Sequence, residues 1–197
     1  MTLGPRAKLL LIAAGFALPI ALSYIAYQFA KPDPTANYGE LLLPPKRVST
    51  QAFDTGKPGA WRFDQLQGRW ALVMSDSGRC PQGCVQKLTL LRQVHLALGR
   101  RASRVARVYI VDDQAAPEAA LMREFEGIVV ASTPRGATLD AGAGADRTHV
   151  YLVDPHGNVM MRWPAAADQK RMLRDLERLL KASQIGHNDG LFQAVPC

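Results

Sequence analysis

The chain has 197 residues, with 24 Lys and Arg against 17 Asp and Glu, a net charge of +7, and Arg outnumbering Lys 17 to 7. No motif interleaves this basic charge with aromatics, which excludes nucleic acid as a partner. Three cysteines, with no second pair, are too few for a four-thiolate zinc site.

Residues 1–8 are short and basic, with Arg6 and Lys8. Leu9 to Phe29 then runs without a charge for 21 residues, enough to span a hydrocarbon core at about 1.5 Å per residue. Pro19 is tolerable inside a membrane helix. Ser23, Tyr24, Tyr27 and Gln28 cluster at the far end, as interfacial residues do. The run is longer than the apolar core of a cleaved signal peptide, and Tyr27-Gln28-Phe29-Ala30-Lys31 is a poor cleavage site. Residues 9–30 are therefore expected to be a single-pass anchor in a bacterial inner membrane. The basic flank keeps the N-terminus in the cytoplasm and puts the C-terminal domain in the periplasm.

Residues 31–45 read as a linker by their prolines and polar residues. Residues 46–184 are expected to form one domain and 185–197 a tail. Val48 to Phe53 reads as an edge strand, followed by a Gly/Pro turn at 54–59. Trp70 to Met74 reads as a buried strand. Cys84 to Leu98 reads as a helix stopped by Gly99. Val105 to Val111 is a strand, Glu118 to Phe125 a short helix, and Ile128 to Ala131 a strand. Residues 134–147 read as a loop. His149–Val153 and Val159–Trp163 flank Asp154-Pro155-His156-Gly157-Asn158, a hairpin signal. Asp168 to Ala182 is an amphipathic helix. Arg100, Arg101, Arg104 and Arg107 are bunched, and read as a solvated basic surface or a dock for an acidic partner or anionic headgroups.

Cys80-Pro81-Gln82-Gly83-Cys84 sits at a strand-to-helix junction. A helix N-terminus stabilises a thiolate, so Cys80, beside Arg79, is expected to be the more reactive thiol. Cys84 lies one turn further on the same face. Pro81 suits the first helical positions, and Gly83 is expected to keep bulk away from the sulfurs. Two such thiols can cycle through a disulfide, hold Cu(I), or form a permanent staple. Of the histidines, His95 reads as a boundary residue, His156 as a turn residue and His187 as part of the tail. Cys197, the last residue, is expected to be free. Trp61, Trp70 and Trp163 read as packing residues, and Asp112 and Asp113 as a solvated acidic pair at a strand end. There is no nucleophile triad, phosphate loop or dinucleotide fingerprint.

The order of elements resembles a thioredoxin-like α/β fold: a central mixed sheet with helices on both faces, thiols at the first domain helix. Within that class, Leu66 to Leu180 resembles the Sco/SenC family of membrane-anchored copper proteins. The matching residues are Leu66-Gln-Gly-Arg-Trp-Ala-Leu-Val-Met, Cys80-Pro-x-x-Cys84 and Tyr151-Leu-Val-Asp-Pro-His-Gly157. The resemblance implies copper held by Cys80, Cys84 and a histidine from a later loop. It also implies a partner in the copper-binding subunit of cytochrome c oxidase, or in another periplasmic thiol or copper protein. The place of the family histidine holds Asp146 here, and His149 follows three residues later. His149 is carried as the third ligand, although such a shift reverses its face in an extended strand. The family's Asp-Pro after the second strand is replaced by Asp112-Asp113. The cis-proline of general thiol oxidoreductases has no counterpart near Thr148 or His149. Two further readings stay open: a thiol–disulfide reductase acting on a partner's cysteines, and a membrane-tethered scaffold with a structural disulfide.

Overall fold

A computed structural model of the chain describes residues 4–29, 37–48, 52–55, 61–66, 68–113, 115–133 and 146–183. Two units are present, Met1–Ala36 and Asn37–Cys197. The first holds helix α1 (Pro5–Phe29), which contains Pro19 and starts four residues before the uncharged run. Its segment Pro5–Ile25 is long and apolar enough to cross a membrane.

The second unit is built on one six-stranded sheet. Its strands are β1 (Glu40–Arg47), β2 (Trp70–Asp76), β3 (Val105–Val111), β4 (Ile128–Ser132), β5 (His149–Val153) and β6 (Asn158–Pro164), in the spatial order β1-β6-β5-β2-β3-β4. Strands β2, β3 and β4 run parallel, while β5 and β6 form an antiparallel hairpin beside β2. Helix α2 (Gln82–Ala97) crosses from β2 to β3, and α3 (Ala119–Glu124) from β3 to β4. Helix α4 (Gln169–Ala182) follows the hairpin, its start capped by the Asp168 carboxylate accepting from the Arg171 N–H. This is a thioredoxin-like arrangement.

Helices flank the mixed sheet, but α2, α3 and α4 share one face. Their apolar side chains meet Trp70, Leu72, Met74, Tyr109, Val111, Val150, Leu152, Met161 and Trp163 there. The other face carries Ala71, Val73, Val108, Ile110, Tyr151 and Val153. It is covered by Phe53, Trp61 and the 3-10 helix Phe63–Leu66. Both faces of β2 and β3 are thus sealed, which explains their unbroken apolar runs.

Two expectations shift at the N-terminal edge. Residues 40–45, read as linker, belong to β1. This strand pairs with β6 at Glu40–Arg162 and Leu41–Met161, then resumes at Lys46–Val159. Prolines that read as linker are tolerated here because an edge strand can omit an N–H. Of the expected strand Val48 to Phe53, residues 49–51 lie outside the described residues, and the described ends Val48, Ala52 and Phe53 belong to no regular strand: the Val48 N–H donates to the Gly157 carbonyl and Phe53 forms an isolated bridge with Trp61. The edge is tied down by Asp175 of α4. Its buried carboxylate accepts from the Tyr38 N–H (3.1 Å), the Gly39 N–H (2.8 Å) and Trp163 Nε1 (3.1 Å). Residues 31–36, residues 134–145 of the loop expected at 134–147, His187 and Cys197 also lie outside the described residues.

The arginine cluster divides. Arg104 donates to the Leu180 and Ser183 carbonyls at the end of α4, and Arg107 to the Glu126 carbonyl. Arg100 and Arg101 are exposed, with Arg101 near Glu177 at 3.8 Å. The bunching is therefore partly internal bonding, not one solvated surface.

Candidate functional site

Strand β2 ends at Asp76, and Ser77 to Cys80 turn the chain into α2. Pro81 is the N-cap, with an extended backbone, and its carbonyl accepts from the Cys84 N–H (2.8 Å) and the Val85 N–H (3.2 Å). Cys80 precedes the cap in the left-handed region, at φ 42°. A non-glycine residue there costs on the order of 1 kcal/mol, so the turn around it must be held. The Cys80 N–H donates to the Ser77 carbonyl (2.9 Å), and the Arg79 N–H to Ser77 Oγ (3.2 Å). Asp113 Oδ1 accepts from the Gly78 N–H (3.0 Å) and the Ala115 N–H (3.0 Å). Gly78 is required by close approach: a Cβ there would sit 1.8 Å from the Ala115 carbonyl oxygen. Gly83, expected to clear the sulfurs, faces open space, so sterics do not demand glycine at that position.

Cys80 and Cys84 are joined by a disulfide, with Cα atoms 5.0 Å apart. Cys80 is 7% exposed and Cys84 is fully buried. Cys84 lies against Tyr109 of β3, its Sγ 3.7 Å from the phenolic oxygen. Tyr109 donates to the Ser77 carbonyl at 2.6 Å. Burial first, then the carboxylates of Asp76, Asp113 and Asp112, push the Tyr109 phenol well above its ordinary pKa, so it stays protonated.

A buried ion pair supports the same corner. Lys87, one turn after Cys84, reaches Asp76 Oδ2 at 2.8 Å, with both side chains nearly sealed from solvent. Its ammonium also donates to the carbonyls of Ser75 and Arg147, each at 2.7 Å. Asp112 accepts from Ser75 Oγ (3.0 Å) and from Arg147 Nε (2.8 Å) and a terminal guanidinium nitrogen (2.5 Å). Partial burial raises the Asp113 pKa, but hydrogen bonds from Ser77, Gly78 and Ala115 and the Arg147 charge outweigh it and hold the carboxyl below its ordinary value. The acidic pair read as solvated is instead the frame of the dithiol turn.

His149 does not join the cysteines. Register is locked by the pairs Met74–Val150 and Val150–Trp163, so alternation fixes each face of β5. Val150 and Leu152 pack with Cys84, whereas Tyr151 and Val153 lie in the opposite cluster. His149 shares the Tyr151 side, with ring centroids 6.2 Å apart. Its Nδ1 meets Asp146 Oδ2 at 2.5 Å and Thr148 Oγ1 at 2.8 Å. Asp146 also accepts from Tyr151 Oη at 2.9 Å. Burial raises the Asp146 pKa, but hydrogen bonds from Thr148, His149 and Tyr151 override it and hold the carboxyl well below its ordinary range. Burial and that carboxylate push the Tyr151 phenol up to about 12. The three-residue shift therefore leaves His149 on the face of β5 away from the cysteines. Among the described residues no group of three or more His, Cys, Asp or Glu is placed to hold a metal.

The sequence reading passed over Tyr109, Lys87 and Gly78. Lys87 carried one legible signal, a lysine within the apolar face of α2. Gly78 and Tyr109 carried none, because their roles depend on Ala115 and Cys84 across the fold.

Residues 70–183 match the family described as transmembrane-like, thioredoxin-like, C-terminal domain. No curated protein matches the chain. Among solved structures, apo Sco1 from Thermus thermophilus is similar at 20% identity and a TM-score of 0.59, covering 73% of this chain and 97% of that one. Copper-bound yeast Sco1 is similar at 15% identity and a TM-score of 0.54, covering 71% and 91%. A SCO1/SenC family lipoprotein from Bacillus anthracis is similar at 17% identity and a TM-score of 0.53, covering 70% and 98%. At these identities the likeness establishes the fold.

Proposed function

Because the chain belongs to the transmembrane-like, thioredoxin-like C-terminal domain family, we propose that it is a membrane-anchored, Sco-like assembly factor. Its Cys80–Cys84 pair cycles between disulfide and dithiol and carries Cu(I) as cargo toward the copper centre of a respiratory oxidase such as cytochrome c oxidase. The domain faces the periplasm from an inner-membrane anchor. The observation that carries this reading is the Cys80–Cys84 disulfide at the start of α2, with Cys84 fully buried and Cys80 keeping a small solvent exposure of 7%.

That asymmetry supports ordered thiol–disulfide exchange. Cys80 is the sulfur a partner reaches, and Cys84 resolves the mixed disulfide from behind. The donor set supports Cu(I): two soft thiolates suit a soft monovalent ion in low coordination. His149 is not included, since its face is opposite. The binding of copper by yeast Sco1 supports the assignment of cargo.

The test is Cu(I) titration of the fully reduced protein, with stoichiometry and free thiols followed together. The expected result is one Cu(I) per chain, lost in Cys80→Ser and Cys84→Ser and kept in His149→Ala. A reversible disulfide without copper binding would leave a thiol–disulfide reductase. An inert disulfide without copper binding would leave a scaffold.

A further inference from the structure

We infer that Tyr109 is the hydrogen-bond donor that stabilises the Cys84 sulfur when the Cys80–Cys84 bond opens. The inference rests on the dithiol reading above and assigns a catalytic role within it.

Tyr109 is completely buried in β3, and its hydroxyl lies between two acceptors. One is the Ser77 carbonyl at 2.6 Å, and the other is Cys84 Sγ at 3.7 Å. In the disulfide, Sγ is a weak neutral acceptor, so the proton goes to the carbonyl. A thiolate reverses that preference, because hydrogen bonds to ionised acceptors are roughly twice as strong as neutral ones. The Ser77 carbonyl stays satisfied when the hydroxyl turns away, since it also accepts from the Cys80 N–H at 2.9 Å. Rotation about one C–O bond therefore moves the donor to the sulfur without leaving a buried acceptor orphaned.

The step balances as follows. One thiolate of a dithiol reductant attacks Sγ of Cys80, the less buried of the two residues. A mixed disulfide forms and the Cys80–Cys84 bond breaks. The electron pair leaves on Cys84 as a thiolate, which takes the Tyr109 hydrogen bond. The reductant's second thiolate then attacks its own sulfur in the mixed disulfide and releases Cys80. The reductant ends as a disulfide, and its two protons end on the two cysteines. Stabilising the leaving thiolate speeds the first attack. In the reverse direction the same contact orients Cys84 toward a partner's mixed disulfide.

The experiment is reduction of the oxidised full chain, in detergent micelles, by dithiothreitol. Tyr109→Phe keeps the ring and its packing, and is expected to slow reduction about tenfold, the effect of losing one hydrogen bond to a charged group. Replacing Tyr109 by 3-fluorotyrosine, a stronger donor, is expected to speed it. In a Cys84→Ser background, the reaction of Cys80 with an aromatic disulfide is expected to be the same with Tyr or Phe at 109. Normal reduction of the wild type with an unchanged rate in Tyr109→Phe overturns the inference alone. An equal slowing in the Cys84→Ser background also overturns it, since Tyr109 would then act on Cys80 through Ser77. A wild-type disulfide that dithiothreitol does not reduce overturns both the inference and the dithiol reading.

Discussion

Replacing Lys87 by Met tests the buried frame of the site most directly. The ammonium has three acceptors: Asp76 Oδ2 at 2.8 Å and the carbonyls of Ser75 and Arg147 at 2.7 Å. Lys87 and Asp76 expose only 1% and 8% of their side chains, so water does not replace what is lost. Methionine fills much of the volume, which leaves the electrostatic loss dominant. Removing one partner of a buried pair typically costs about 3–5 kcal/mol, because the remaining charge is uncompensated. A domain of this size has about 5–15 kcal/mol in total, and each kcal/mol moves Tm by roughly 2–4 °C. Lys87→Met should therefore lower Tm by about 6–20 °C, measured by circular dichroism of the oxidised protein with parallel urea titrations. Lys87→Met combined with Asp76→Asn removes both charges and should recover a large part of the loss. A single variant costing under about 1 kcal/mol would refute the reasoning. So would a double variant that loses the sum of the two singles, since a bonded pair must couple.

Three further outcomes follow from other contacts. Gly78→Ala forces a Cβ to 1.8 Å from the Ala115 carbonyl oxygen, so the dithiol turn must shift. The expected loss is about 1–3 kcal/mol by overpacking, with faster reduction of the disulfide, read by urea unfolding and thiol release. Asp175→Ala leaves the N–H groups of Tyr38 and Gly39 and Trp163 Nε1 without their acceptor. It should cost about 3 kcal/mol, with amide exchange rising first at residues 38–41. His95 bonds the Ala102 and Val105 carbonyls through Nε2, and burial, then the Arg107 charge, lower its pKa despite those bonds. Below the ordinary histidine pKa of about 6.5 the unfolded chain binds a proton that the folded chain resists, so stability falls as pH drops through that range. Comparing urea midpoints at about pH 7.5 and 5.5, the drop should be smaller in His95→Gln than in the wild type.

Local chemistry and periodicity were enough for much of this molecule. The uncharged run at 9–29 specifies a membrane-length helix by itself, because length and apolarity need no tertiary context. Strand β3 and the β5–β6 hairpin appear where apolar runs and turn residues place them, and α2 ends at Ala97, with Leu98 as its C-cap before Gly99, whose φ is 55°. The thiol pair at a strand-to-helix junction was legible for the same reason. What the fold decided is which groups face those thiols. β1 became a strand because β6 had an open edge and Asp175 had N–H groups to accept, facts held 111 to 137 residues away. His149 was separated from the cysteines by register, since one face of β5 is set by its pairing with β2 and β6. Tyr109, Lys87 and Gly78 gained their roles from neighbours on other elements, and no local window contains both members of the Tyr109–Cys84 or Gly78–Ala115 contacts. Residue type and spacing specify the paired sulfurs; only packing decides what lies against them, what holds their turn and which histidine stays away.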